Sequence, residues 1–143
     1  MENSCRIALR VRYGEADRMG IAYYAHYFAW FTEGRTELLR RLGGSYREVE
    51  DQGLLLPVLR TGATYHRPCR YDDVVELETA ACASPTRLRF DYRLFGGQDL
   101  LAEGFTEHAF VRKADMRPQN ARRAFPEVWA LLSLLPPYSP SPD

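Results

Sequence analysis

From residue 6 to residue 13 apolar and polar positions alternate, with Ile7, Leu9 and Val11 separated by Ala8, Arg10 and Arg12. A period of two predicts a strand with one covered face. Residues 14–19 are polar and read as a loop. Residues 21–31 are then apolar nearly all round, interrupted by His26. The spacing predicts a helix over 22–42 that ends at the Gly43-Gly44 pair. Its first half should be enclosed on most sides. Its second half is amphipathic, with Leu38, Leu39 and Leu42 inward and Arg40 and Arg41 outward. Ser45 is placed to cap a short second helix over 45–52, with Glu48 at the capping-box position.

Beyond Gly53 the period returns to two. Strands are expected over 54–65, with Pro57 near the start or at a bulge, and over 74–83. A third is expected over 87–95, where Leu88, Phe90, Tyr92 and Leu94 alternate, and a fourth over 100–112. Gly96-Gly97 marks a hairpin turn. Residues 118–135 read as a C-terminal helix or helical turns, and 136–143, rich in proline, as an irregular tail. One strand, one long helix and then several strands joined by short turns give an α+β domain. A sheet of about five antiparallel strands should wrap the largely apolar helix.

Composition narrows the picture without changing it. A chain of 143 residues suits one domain with a real core, expected over 1–135. Its formal net charge of +0 gives no broad basic field, so no nucleic-acid partner is expected. The N-terminus has no apolar run of signal-peptide length, and the apolar stretch at 21–31 is too short to span a bilayer. A cytoplasmic location away from membranes is therefore expected. Cys5, Cys69 and Cys82 form no C-x-x-C pair and no zinc spacing, and read as small buried hydrophobes. No metal-binding cluster and no Gly-rich phosphate loop stands out.

The chemistry concentrates between Tyr13 and Arg40. Asp17 lies in a short loop with Gly20, directly before the apolar helix. A helix start carries free backbone N–H groups that can bind a developing oxyanion. A carboxylate beside such a site is the minimum for hydrolysing an activated ester. Taken alone, an Asp before a helix is more often a cap for the loop or the helix start. Glu15 is a second acid nearby, either a partner in acid/base work or a solvated loop residue. Gly20 allows a tight turn and close substrate approach.

The run Tyr13-Gly14-Glu15-Ala16-Asp17-Arg18-Met19-Gly20-Ile21-Ala22-Tyr23-Tyr24 resembles the signature of hotdog-fold acyl-CoA thioesterases. The closest type is the 4-hydroxybenzoyl-CoA thioesterase family in its Asp-loop form, which includes the Tol–Pal-cluster acyl-CoA thioesterases. Tyr27 fits a later Tyr of that pattern, and Ala16 departs from its acidic pair. The segments 66–73, 75–79 and 106–118 resemble the family's turn before a central strand, that strand, and its last strand with the basic segment after it.

The resemblance implies a hotdog fold, with Asp17 as catalytic nucleophile or general base and the backbone N–H of Tyr24 as the group that polarises the thioester carbonyl. The Tol–Pal type has His where Tyr24 stands, so the 4-hydroxybenzoyl type fits better. Arg87 matches a position that binds coenzyme A phosphate in that type, and strand alternation puts Arg89 on the same face. Gly20 and Tyr23 are candidates for substrate contact. His26 is read either as a substrate contact or as a buried histidine bonded to backbone. The implied substrate is an aryl or short- to medium-chain acyl-CoA. No resident cofactor is implied, because coenzyme A is part of the substrate. The implied assembly is a homodimer or homotetramer. Two other readings remain open: a non-catalytic acyl-CoA-binding domain, and a thioesterase for acyl chains on a carrier protein.

Overall fold

The computed structural model describes residues 4–139. Five strands form one antiparallel sheet in the spatial order Cys5–Arg10, Val74–Ser84, Arg87–Gly96, Asp99–Ala109 and Val58–Tyr65. They are β1 (Cys5–Arg10), β3 (Val58–Tyr65), β4 (Val74–Ser84), β5 (Arg87–Gly96) and β6 (Asp99–Ala109). The helix α1 (His26–Arg41) lies across the inner face over β1, β4 and β5. Alternation explains the facing. Leu88, Phe90, Tyr92 and Leu94 of β5 are all buried beneath the helix, and Phe31 of α1 stacks on Tyr92 with ring centroids 4.2 Å apart. The β5–β6 hairpin turns where the double glycine predicts it, with Gly97 at φ +62°.

The short helix α2 (Tyr46–Asp51) starts where expected, since the Ser45 hydroxyl accepts the Glu48 N–H at 3.1 Å. The helix α1 ends on schedule too, with Gly43 at φ +101° and the Gly44 N–H donating to the Leu39 carbonyl. Two strand expectations need revision. The strand expected over 54–65 is broken at Leu56-Pro57 into β2 (Leu54–Leu55) and β3, because Pro57 has no N–H for a ladder. The stretch expected as a strand over 100–112 is likewise divided after Ala109, and β7 (Val111–Arg112) pairs with β2 in a separate ribbon. Of the two readings for 118–135 the helical turns hold, as α3 (Ala121–Ala124) and α4 (Pro126–Leu132), with Pro126 opening the second.

Residues 136–139, expected as irregular tail, run back along the sheet. Pro137 bridges Ala83, and the Tyr138 N–H donates to the Ala83 carbonyl at 2.9 Å. The remainder of the expected tail, 140–143, and the first three residues lie outside the described part. Among the described residues no helix is long and apolar enough to cross a membrane.

Helix α1 comes close against β4 at Gly34. A Cβ there would overlap Thr79 Oγ1 and lie 2.7 Å from Leu77 Cδ2. Gly34→Ala should therefore destabilise the fold by about 1–3 kcal/mol. Gly14→Ala, with nothing within 4 Å, should be nearly neutral. Denaturant unfolding of the two variants checks this.

Candidate active site

The chain leaves β1 at Arg10, makes a single 3₁₀ turn over Tyr13–Glu15 and enters a loop that closes on itself. The Asp17 N–H donates to the Ile21 carbonyl at 2.8 Å, and the Gly20 N–H to the Asp17 carbonyl at 3.0 Å. Gly20, at φ +80°, takes the left-handed conformation this closure needs. One carboxylate oxygen of Asp17, Oδ1, accepts the Met19 N–H at 2.8 Å. The other, Oδ2, has no hydrogen-bond or ion-pair partner among the described residues. The loop bonds thus engage only one oxygen of the Asp17 side chain among the described residues.

The helix begins four residues later than its hydrophobic pattern predicts. The Ala22 N–H donates to the Cys69 carbonyl and the Tyr23 N–H to the Glu15 carbonyl, each at 2.8 Å, so both are held in bridges rather than helical turns. The N–H groups of His26 and Tyr27 close the first turn onto the carbonyls of Tyr23 and Tyr24. Between these two sets, the N–H groups of Tyr24 and Ala25 donate to no acceptor among the described residues. They stand at the positive end of α1.

Asp17 and Tyr24 line one cleft of about 480 Å³, walled by Tyr23, Tyr27 and Tyr65 and floored by residues 66–68 of the β3–β4 connection. Tyr23 and Tyr24 pack against each other at 4.7 Å, and Tyr24 meets Tyr65 edge-on at 6.3 Å. His26 is half-buried with its ring 6.0 Å from Tyr23, and its ring nitrogens make no hydrogen bond among the described residues. Gly20 faces a second cleft of about 540 Å³, bounded by Tyr13, Arg18 and Tyr71, with Asp17 as the shared wall. Among the described residues no group of three His, Cys, Asp or Glu side chains could hold a metal ion.

Glu15 is not the solvated acid its polar neighbours suggest. It is buried at 4% exposure and lines neither cleft. Its Oε1 accepts the Arg12 N–H at 2.7 Å and its Oε2 the Trp30 indole N–H at 2.9 Å. Burial pushes the Glu15 pKa up, but those bonds and the Arg12 guanidinium outweigh it, so the carboxyl titrates below its ordinary range. Trp30 in turn packs on Tyr27 at 4.7 Å, and the Tyr27 hydroxyl lies 3.5 Å from the buried Cys69 thiol.

Arg87 and Arg89 are separated from this cleft and from each other's surroundings. Arg87 is exposed and donates to the Thr86 carbonyl. It pairs in register with Ala109, whereas the cleft end of the sheet is at Tyr65, Ala102 and Leu94. Seven residues of strand separate the two levels, about 23 Å at 3.3 Å per residue. Arg89 is buried at 2% exposure between Glu107 and Asp91, beneath Phe105 at 4.2 Å. The Tyr138 hydroxyl donates to Glu107 at 2.7 Å and covers the pair, so Arg89 is withdrawn from any phosphate.

Residues 11–130 match the thioesterase-like superfamily, well over half of the chain. The chain belongs to that family. YneP of Bacillus subtilis is 31% identical over 121 residues, spanning 83% of this chain and 88% of YneP. The acyl-CoA thioester hydrolase YbgC of Escherichia coli O6:H1 is 30% identical over 97 residues, 67% of this chain and 72% of YbgC. The crystal structure of a DHNA-CoA thioesterase from Staphylococcus aureus superposes with a TM-score of 0.86 at 28% identity, covering 92% of this chain and 89% of that one. The five-stranded sheet around α1 is the family's hotdog fold.

A polar chain crosses the core of this thioesterase-like domain. The Tyr92 hydroxyl lies 2.7 Å from Thr106 Oγ1, which lies 2.9 Å from His108 Nε2, and His108 Nδ1 is 2.9 Å from the Leu56 carbonyl. A neutral ring with its proton on Nδ1 satisfies every contact. Burial pulls the His108 pKa down to about 4. An unfolded His binds its proton near pH 6.5, so stability is lost as pH falls from about 6.5 toward 4 and the loss is complete below that. The loss from His108 should reach about 3 kcal/mol. Unfolding measured across this range should show a shallower slope for His108→Gln than for wild type.

Proposed function

We propose that this chain hydrolyses acyl-CoA thioesters to a free acid and coenzyme A. The enzyme class, thioester hydrolase, comes with the family. The observation that carries the finer reading is the shared cleft. It holds a carboxylate with one unengaged oxygen, Asp17 Oδ2, beside a helix entry where the Tyr24 N–H is unengaged. In this reading the Tyr24 N–H polarises the thioester carbonyl oxygen and takes up negative charge as the carbonyl carbon becomes tetrahedral. Asp17 supplies the other half in one of two ways. Its oxygen bonds the carbonyl carbon as the C–S bond breaks, leaving a mixed anhydride that water cleaves. Alternatively it accepts a proton from a water that forms the new C–O bond. Both release the thiol of coenzyme A.

Tyr23 and Gly20 line the two clefts that meet at Asp17, and His26 lies behind Tyr23; these three are the proposed substrate contacts. The aromatic walls suit an aryl or a short to medium acyl group. Coenzyme A arrives within the substrate, so this chemistry asks for no resident cofactor.

Arg87 fits the scheme through assembly. The outer strand β3 ends the sheet with an unpaired edge, and Val58 and Leu59 on it are 46% and 49% exposed. Such an edge invites pairing. Antiparallel pairing of two β3 edges sets the Val58 end of one copy beside the Tyr65 end of the other. Register Val58–His108–Leu88 then brings Arg87 of a second copy toward the Asp17 cleft. A homodimer, or a homotetramer built from two, is the proposed state.

Thiol release from a panel of benzoyl-, hydroxybenzoyl-, short- and long-chain acyl-CoAs tests the reading. Asp17→Asn should lower turnover about 10²–10⁴-fold with the fold intact. Tyr24→Phe should keep turnover, because its donor is main chain. A folded wild type that releases no thiol but binds acyl-CoA would favour the binding-domain reading. Release only from carrier-protein thioesters would move the substrate class.

A further inference from the structure

Asp17 and the Tyr24 N–H are useful together only if a loop and a helix start are held in fixed relation. Resting on the proposed function above, we infer that Glu15 is the positioning residue that sets this relation: its buried carboxylate and its carbonyl tie the exit of β1, the body of α1 and the segment before Tyr24 to the Asp17 loop.

Three bonds carry the inference. Glu15 Oε1 accepts the Arg12 N–H at 2.7 Å, which fixes where the chain leaves β1. Glu15 Oε2 accepts the Trp30 indole N–H at 2.9 Å, which reaches the second turn of α1. The Glu15 carbonyl accepts the Tyr23 N–H at 2.8 Å, directly before the free N–H of Tyr24. Asp17 follows two residues later, its own N–H closed onto Ile21. A single residue therefore joins both halves of the proposed machinery. Reacting groups tolerate little misplacement, and an error near 1 Å costs about 10²-fold in rate.

Burial separates this role from the others open to a second acid. With 4% of its surface exposed and both oxygens engaged by N–H donors, Glu15 can neither reach substrate nor exchange protons with a water in the cleft. Its ionised form is the one the donors need, since a carboxylate offers acceptors on both oxygens. The indole it holds packs on Tyr27, a wall of the Asp17 cleft, so the same tie also sets that wall.

Glu15→Gln keeps the size but offers one acceptor and an amide N–H₂. One of the Arg12 and Trp30 donors then faces another donor. The variant should lose at least about tenfold in kcat for benzoyl-CoA, or for the best thioester of the panel, with KM within about twofold. Glu15→Asp retains both acceptors and should recover part of the loss. Trp30→Phe removes one donor only and should lower kcat in the same direction, which keeps the test open if Glu15→Gln does not fold.

The deciding experiment is a double-mutant cycle with Asp17→Asn. A residue that acts through Asp17 and its geometry should add no further loss to the residual rate of Asp17→Asn. Undiminished kcat in folded Glu15→Gln or Trp30→Phe overturns the inference, as does a full additional loss in the Asp17→Asn background. Full turnover in Asp17→Asn alone is a different result, and removes the proposed role of Asp17 itself.

Discussion

The N-terminal end of a helix presents N–H groups that the helix cannot satisfy, and this fold disposes of them unevenly. Those of Ala22 and Tyr23 are spent on carbonyls of Cys69 and Glu15, and those of His26 and Tyr27 on the first tight turn. Tyr24 and Ala25 are left between. The arrangement depends on where α1 lies, which is set by burial. Phe31 stacked on Tyr92 and the close contact of Gly34 with Leu77 and Thr79 fix the helix on the inner face of the sheet. From there Trp30 reaches Glu15, and Glu15 holds the loop. Core packing thus fixes the geometry of groups that sit near the surface.

The two faces of the sheet do different work. The inner face is mostly apolar; it carries the buried Thr79 against Gly34 and is crossed by the Tyr92–Thr106–His108 chain, whose every member has a partner. The outer face carries paired charges, Arg89 with Glu107 and Arg6 with Glu78, and is roofed at Tyr138 by the returning C-terminal segment. A buried ion pair contributes little net stability, but breaking one is costly. That segment therefore seals a face rather than trailing from it. The sheet ends on β1 at one side and β3 at the other, and β3 is the edge where a second copy enters the functional reading.

Much of this was legible in the chain. Alternation in 87–95 gave the inner face residue by residue, and Ser45 and Gly43 bounded their helices as local chemistry requires. The loop carrying Asp17 was readable because loop, glycine and helix follow one another directly. What escaped were bonds between distant residues. Nothing near Glu15 announces an indole fifteen positions on, so a buried clamp resembled a solvated acid. The helix start slipped from 22 to 26 because Ala22 finds its acceptor at Cys69, in another connection. Strand period assigned Arg89 a face but could not reveal that residues 136–139 return to cover it. Pro57 signalled a break, but the partner of the severed piece, β7, depends on tertiary pairing.

In the proposed reaction the Asp17 carboxylate serves the carbonyl carbon and the Tyr24 N–H the oxygen of one thioester. A crystal structure with an acyl-CoA ketone analogue, in which a methylene replaces the thioester sulfur, tests it most directly. The expected result is the ketone oxygen within hydrogen-bond distance of the Tyr24 nitrogen and Asp17 Oδ2 facing the carbonyl carbon. An analogue bound with its carbonyl away from both groups would contradict it.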